Sequence, residues 1–506
     1  MALPGTDTQG QTPDGIDAVD SVVVGAGWAG LTAALQLARA GHSVRLLDAA
    51  PQAGGRARSL QLDWDHPQHG PTTLTVDNGQ HLLIGAYAET LRLLTSLGAA
   101  GQRQLERRPM HFENSDGLRI ARHRLAADAP GESGTPLLGA LLEPLTPLLA
   151  LLGAQGLPLA CRWALIRTLV GARRNHWLPP RSVLTVADWY RASRQPAALI
   201  HAFWHPLVIS TLNTPAESAC AATFLRVLRD SLGASPAATD YLLPRASLGE
   251  FFAAPVIGAL QQLGGRLVLR RDVRRIERGQ QRRYRLGMAV RGADERLAIE
   301  ADQIVLATPP AAAARLLRTM VAHPVIAELE RFDYLPITTA WLGWPLPSAG
   351  DGAVSRPRSS RLAGGQPVVL SLPCDPGAGS FAHWLFDRGQ HGPWWVGSLV
   401  ISDSREARAL GATGGESALA EALTRQLTDA TGLPAPAQIS LIHEKRATIA
   451  CTPQRPTLRA DSLMPELAGI ALAGDYAWPD YPATLEGAVR SGLAAAALFT
   501  NPPPQP

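Results

Sequence analysis

The chain has 506 residues, of which 46% are hydrophobic and 18% charged, with a formal net charge of +4. That length holds more than one core and can bury a large cofactor, and the composition excludes a disordered or low-complexity chain. So mild a charge also argues against a nucleic-acid binder. The densest basic run, RRDVRRIERGQQRR (270–283), is broken by acids and apolar residues and has no aromatic stacking platform.

The first 15 residues, MALPGTDTQGQTPDG, have neither a basic n-region nor an apolar h-region. We therefore expect a disordered tail over 1–17, a similar one at the closing NPPPQP, and a cytoplasmic location. Structure should begin at DSVVVGAGWAGLTAALQLARAGHSVRLLDAA (20–50), which reads as strand, glycine turn, helix of apolar period near 3.6, and second strand. Gly25 permits the tight turn, Gly27 lets the backbone approach a pyrophosphate, and Gly30 lets the helix pack closely on the strand. Asp48 ends the second strand, where an acid can hydrogen-bond adenosine ribose hydroxyls. Shortly after comes GGRARS (54–59), with a second glycine turn at Gly54 and Gly55, and with Arg56 placed for a charge-assisted contact to a phosphate or flavin.

The next polar cluster is DNGQH (77–81), set between apolar runs. Its residues Asp77, Gly79, Gln80 and His81 either form a plain turn or line a reaction site. Residues 106–240 are helix-rich and leucine-rich. Within them, 136–177 is apolar but is interrupted by Glu143, Pro144, Pro147 and Pro158, so it is unsuited to crossing a bilayer. It reads as buried helices, or as a face dipping into lipid with Arg162, Arg167, Arg173, Arg174 and Trp177 at the headgroups.

Two exposed antiparallel strands are expected over 264–277 and at RYRLGMAVRG, then a fully buried strand, DQIVLATPP (302–310). Residues 326–440 show proline-broken strands and a helix at 416–430. The last pattern, GIALAGDYA (469–477), delivers Gly474 and Asp475 at the end of a buried strand, Asp475 being placed for ribityl hydroxyls. Thr484 and Leu485 then open a helix of small residues, whose positive end suits the electron-rich edge of a reduced flavin. With Gly79, Gln80 and Val273 added to the cofactor-binding set, the expectation is bound FAD. The fold class is α/β: a Rossmann-type domain (18–105, 241–325 and 441–500) interleaved with an α+β substrate domain (106–240 and 326–440). The four cysteines have no CxxC or metal-ligand spacing, so no metal is expected.

The GGR turn resembles that of the flavoproteins that include monoamine oxidases and carotenoid desaturases. DNGQH, WHPLVISTLNTP (204–215), LLPRASLGEFF (242–252), LATPPAAAARLL (306–317), PITTAWL (336–342), EKRATIACTPQRP (444–456) and YPATLEGAVRSG occur as an ordered set. Together they resemble the squalene-associated FAD-dependent desaturase family, the hydroxysqualene dehydroxylases, over most of residues 20–498. The resemblance implies hydride from reduced FAD replacing the hydroxyl of hydroxysqualene. It also implies a polyisoprenoid substrate supplied by upstream squalene-synthase-like enzymes, and leaves room for peripheral contact with the inner face of a membrane. Many amine oxidases carry a lysine near the flavin on a strand that aligns with PITTAWL; here Thr338 and Thr339 stand there, and Lys445 is the sole lysine.

Carbon–oxygen cleavage needs a proton for the leaving oxygen. His81 is the candidate acid and Asp77 its orienting partner, the other reading being that Asp77 and Asn78 only shape a turn and His81 bonds a backbone carbonyl; Asp480 and Tyr481 stand behind them, and Trp204, His205 and Asn213 are expected in the substrate domain, lining it or buried in it. The alternatives are an oxidative carotenoid or squalene desaturase, a flavin amine oxidase, and a flavin-free prenyl-lipid carrier.

Overall fold

The structure is a computed structural model that describes residues 17–98, 105–121, 146–290, 296–347 and 369–500. The expected tails lie outside the described residues, except for Asp17, which opens the first strand; so do residues 136–145 of the leucine-rich segment.

Three distant parts of the chain build one seven-stranded sheet. The first strand, Asp17–Val24, is parallel to Val44–Leu47 on one side and to Arg296–Leu306 on the other. Ile470–Leu472 adds in parallel to the carboxyl end of 296–306. Burial on both faces explains the near-continuous apolar run of VVV: Val23 packs with the helix Trp28–Arg39, and Val22 and Val24 with the helix Pro310–Arg318. The expected single strand at 264–277 is two. Arg266–Val268 runs parallel to Val44–Leu47, and the chain then turns at Arg270 (φ 57°) into Arg271–Arg278, which pairs antiparallel with Tyr284–Val290.

A second, wholly antiparallel sheet has the order 369–371, 384–391, 394–402, 334–345, 438–449. The strand Gln438–Ile449 pairs with Tyr334–Pro345 over most of its length, so the second sheet extends past the expected boundary at 441. Cross-strand pairing, invisible in one strand's own residues, sets that extent. Alternation along 334–345 gives the sheet two roles. Ala340, Leu342 and Trp344 pack under the helix Arg405–Thr431, while Ile337 and Thr339 face the cavity described below. The non-helical Gly415 (φ 82°) divides that element in two, and its second helix matches the 416–430 expected.

The first helix and the last, Leu485–Thr500, cross in close contact. A Cβ on Gly492 would lie 2.3 Å from the Ala29 carbonyl oxygen and 3.0 Å from Thr32. Overpacking at such a crossing costs about 1–3 kcal/mol. Gly492→Ala is therefore expected to lower unfolding stability by about that much in urea titrations of the flavin-loaded protein.

Candidate active site

A cavity of about 1140 Å³ runs between the two sheets, lined at one end by the glycine turns and at the other by apolar and aromatic side chains. Each local fold that builds the polar end has a physical cause. Gly25 has φ 107°, and its carbonyl oxygen would be 1.8 Å from a Cβ on Gly30. The turn and the first helix can thus close only where both residues lack side chains. The Asp48 carboxylate accepts from the amides of Ala26 (2.6 Å) and Ala50 (2.7 Å), which locks the second strand's end against the turn. Gly54 donates to Ala26 O at 2.8 Å, and Gly27 and Gly54 form a parallel bridge. The two glycine turns are therefore one backbone unit.

Arg56 reaches across to the last strand. Its Nη2 donates to Asp475 Oδ2 at 2.6 Å and its Nη1 to Ala447 O at 2.8 Å. Asp475 is 8% exposed. Thr484 Oγ1 accepts from the Gly487 amide at 3.0 Å and so caps the last helix, whose first turn faces the cavity.

Among the expected cofactor residues, Gly25, Gly27, Asp48, Gly54, Gly55, Arg56, Gly79, Gln80, Val273, Gly474, Asp475, Thr484 and Leu485 line the cavity. Gly30 does not; it packs beneath the turn. The cavity wall also carries two buried hydroxyls without a hydrogen-bond partner, on Thr308 and Tyr476. Unsatisfied donors on a polar wall, two helix amino ends and the Asp48 carboxylate together fit a dinucleotide.

The candidate catalytic pair is split. His81 lines the cavity, with Nδ1 2.7 Å from Gly79 O. A carbonyl only accepts, so Nδ1 carries the proton and the Nε2 lone pair is free. Burial, opposed by that hydrogen bond and reinforced by the Arg56 charge, holds the imidazole below its ordinary range. Burial therefore favours the neutral ring, whose Nε2 would accept, and the bond to a backbone carbonyl is the second of the two roles expected of His81.

Asp77 does not line this cavity. Its Oδ1 accepts from the Leu248 amide at 2.8 Å, at the head of the helical segment Gly249–Gln262, and burial pushes its carboxyl up to about 6. It borders a separate cavity of about 320 Å³ with Arg245, Glu250 and Arg388. Satisfying a buried helix end has taken the carboxylate away from the reaction chamber.

Of the secondary candidates, Tyr481 and Asn213 line the cavity. Trp204 is fully buried against Gln195, and Asp480 is held by Arg226 and Arg459. Sequence reasoning missed Asn78, which donates to Arg56 O (3.2 Å) and Glu444 Oε2 (3.0 Å) and so ties three segments together. It also missed Thr308, although LATPP at the end of a buried strand was an available signal.

Removing Arg56 would leave the buried Asp475 carboxylate without its cation. Arg56 itself is 40% exposed, so screening tempers the loss. Arg56→Ala is expected to cost about 1–2 kcal/mol of stability and to weaken flavin retention, read by urea titration and by flavin fluorescence on dilution.

The chain matches the model of the flavin containing amine oxidoreductases over residues 28–498. It is 27% identical over 486 residues to a hydroxysqualene dehydroxylase of Rhodopseudomonas palustris, covering 94% of this chain and 97% of that one. Identity is 25% over 491 residues to a hydroxysqualene dehydroxylase of Sinorhizobium fredii, covering 94% and 97%. A probable zeta-carotene desaturase of Synechococcus elongatus is 26% identical over 333 residues, covering 64% of this chain and 66% of its own. Among solved structures, a putrescine oxidase superposes with a TM-score of 0.62 at 16% identity, covering 95% of this chain and 99% of that one. The architecture is thus that of the FAD amine oxidases, and the residues of the cavity's polar end fit such a cofactor. The chain is an FAD-dependent oxidoreductase and belongs to the flavin containing amine oxidoreductase family.

Proposed function

We propose that this enzyme catalyses the reductive dehydroxylation of hydroxysqualene to squalene, a step of hopanoid and triterpenoid biosynthesis. The observation that carries this reading is the apolar chamber beside His81. Its wall includes Met110, Phe112, Phe203, Leu228, Trp384 and Phe386. Such a lining suits a polyisoprenoid. The identity to two dehydroxylases, 27% and 25% over 94% of this chain, against 23% over 95% for a zeta-carotene desaturase of Synechocystis, supports the same choice. Thr339, not a lysine, faces the cavity from the strand 334–345, with the Gln80 amide 3.4 Å from its Oγ1; Lys445 is exposed.

Bound and reduced, FAD would supply the hydride, which carries the electron pair. In the balanced reaction the carbinol C–O bond breaks, a C–H bond forms with the hydride, and the hydroxyl leaves as water after taking one proton, so that fully reduced flavin, with its two electrons and two hydrogens, and the carbinol would give oxidised flavin, squalene and water. The chain's own part is to hold the carbinol and exclude water. Aromatic faces on the wall favour positive charge developing at the carbinol carbon. The free Nε2 of His81 accepts the carbinol O–H and so orients it. The proton for the leaving oxygen is not His81's to give.

The test is anaerobic mixing of reduced enzyme with hydroxysqualene. Squalene should form in one turnover as the flavin is oxidised. A flavin that stays reduced without squalene sinks the reading, and desaturated product from oxidised enzyme would establish the oxidative alternative. Asp77→Asn should keep the single-turnover rate within about threefold, because Asp77 lies outside the chamber. His81→Ala should slow the reaction by about tenfold or more. The wild-type rate should not fall between about pH 6 and 8, as it would if a protonated histidine with an ordinary pKa were the acid.

A further inference from the structure

Among the described residues, all exposed large apolar side chains except Leu263 fall within 149–184. Leu159, Trp163 and Leu178 are 69%, 63% and 62% exposed, and Leu149, Val170 and Leu184 accompany them. The helix Leu159–Arg174 is apolar on both sides. Cys161, Ala164, Leu165 and Ala172 are buried, while Leu159, Trp163, Arg167, Val170 and Arg174 recur at spacings of three and four on the outer face. A soluble helix normally reserves that face for polar residues.

The charge pattern names the occupant. Residues 144–187 contain five arginines and no acidic residue. Arg167, Arg173, Arg174 and Arg181 are exposed and make no ion pair with a described residue. Arg162 is instead spent on the Leu157 and Leu152 carbonyls. The expected headgroup residue Trp177 is buried as well. His176 and Trp177 take positive φ (53° and 59°), which folds the indole onto Gly233, at the end of the helix Ala221–Ser231. Trp163 is the aromatic presented.

We propose that this face docks the protein on an anionic lipid bilayer, with Leu159, Trp163 and Leu178 entering the acyl boundary and the arginines meeting lipid phosphates. No helix among the described residues is long and apolar enough to cross a membrane, so the contact is superficial. The face is continuous with the site. Ala164 and Leu165 belong to the same apolar cluster as Phe112, Phe203 and Leu228, which line the chamber. The outer face and the cavity wall therefore share one apolar core. Docking stands on this geometry alone; its use, to deliver a bilayer-dissolved polyisoprenoid, rests on the proposed reaction.

The test is co-sedimentation of the full, flavin-loaded chain with phosphatidylcholine vesicles, with and without phosphatidylglycerol. Wild type should bind the mixed vesicles about tenfold or more better than the neutral ones, and high salt should reduce the difference. Leu159→Glu with Trp163→Glu should lower partitioning by about a hundredfold while flavin absorbance stays unchanged. Arg173→Glu with Arg174→Glu should lose about tenfold or more on anionic vesicles and little on neutral ones. Equal sedimentation of wild type and the Leu159/Trp163 variant overturns the proposal, as does wild type remaining in the supernatant with both vesicle types. So does a wild-type dimer in light scattering that the variant abolishes without any vesicle binding, since the face would then join two copies. Vesicle binding without squalene formation keeps the face and sinks the reaction. Squalene formation from detergent-dispersed substrate without vesicle binding does the reverse.

Discussion

Parallel pairing around the strand Arg296–Leu306 is the constraint on which the rest of the molecule depends. It aligns the carboxyl ends of Asp17–Val24, 296–306 and Ile470–Leu472 on one edge. Chain segments hundreds of residues apart therefore emerge side by side: the glycine turn at Gly25, Thr308, and Asp475. Ligand sites of open parallel sheets gather at this edge because strands stop there and loops and helix amino ends begin. The Arg56–Asp475 pair and the Asn78 bridge then fasten the loops that emerge. Without the strand register, neither contact has a partner within reach.

The second sheet depends on the same edge. Its strand Tyr334–Pro345 alternates between a face committed to the helix Arg405–Thr431 and a face that closes the cavity. One wall of the chamber is thus a sheet face, which cannot rearrange without breaking ladder hydrogen bonds. The polar end of the cavity presents backbone amides and carboxylates. The apolar end has the aromatic and aliphatic wall of a protein core. The two ends of one cavity thus differ in chemistry: polar groups at one end suit a charged cofactor, and the other end is an apolar compartment. The depressed basicity of His81 belongs to that compartment, since burial penalises its cation.

Much of this was legible before any coordinates. Local residue spacing carries the strand–turn–helix around Gly25–Gly30, the acid at Asp48, the GGR turn, and the strand-to-helix passage through Asp475 and Thr484. Each is a short-range pattern whose cause, backbone approach to an anion or close helix packing, acts within about thirty residues. FAD binding and the α/β class followed from those patterns and their order. The leucine-rich segment could likewise be recognised as too interrupted to span a bilayer.

Other features arise from contacts that no local pattern encodes. Asp77 and His81 are four residues apart, yet one carboxylate completes a helix end near Leu248 while one imidazole turns into the chamber. The tautomer of His81 follows from a single bond to Gly79 O. The choice between Trp163 and Trp177 as the exposed indole follows from two positive backbone angles. Likewise, the strand 438–449 joins the second sheet because Tyr334–Pro345 offers it an edge. Spacing along the chain could therefore say which groups the protein carries for binding a dinucleotide. Which of them face the cavity, which are spent on buried amides, and which protons they hold depended on the folded packing, because direction and hydrogen-bond partner are properties of neighbours distant in sequence.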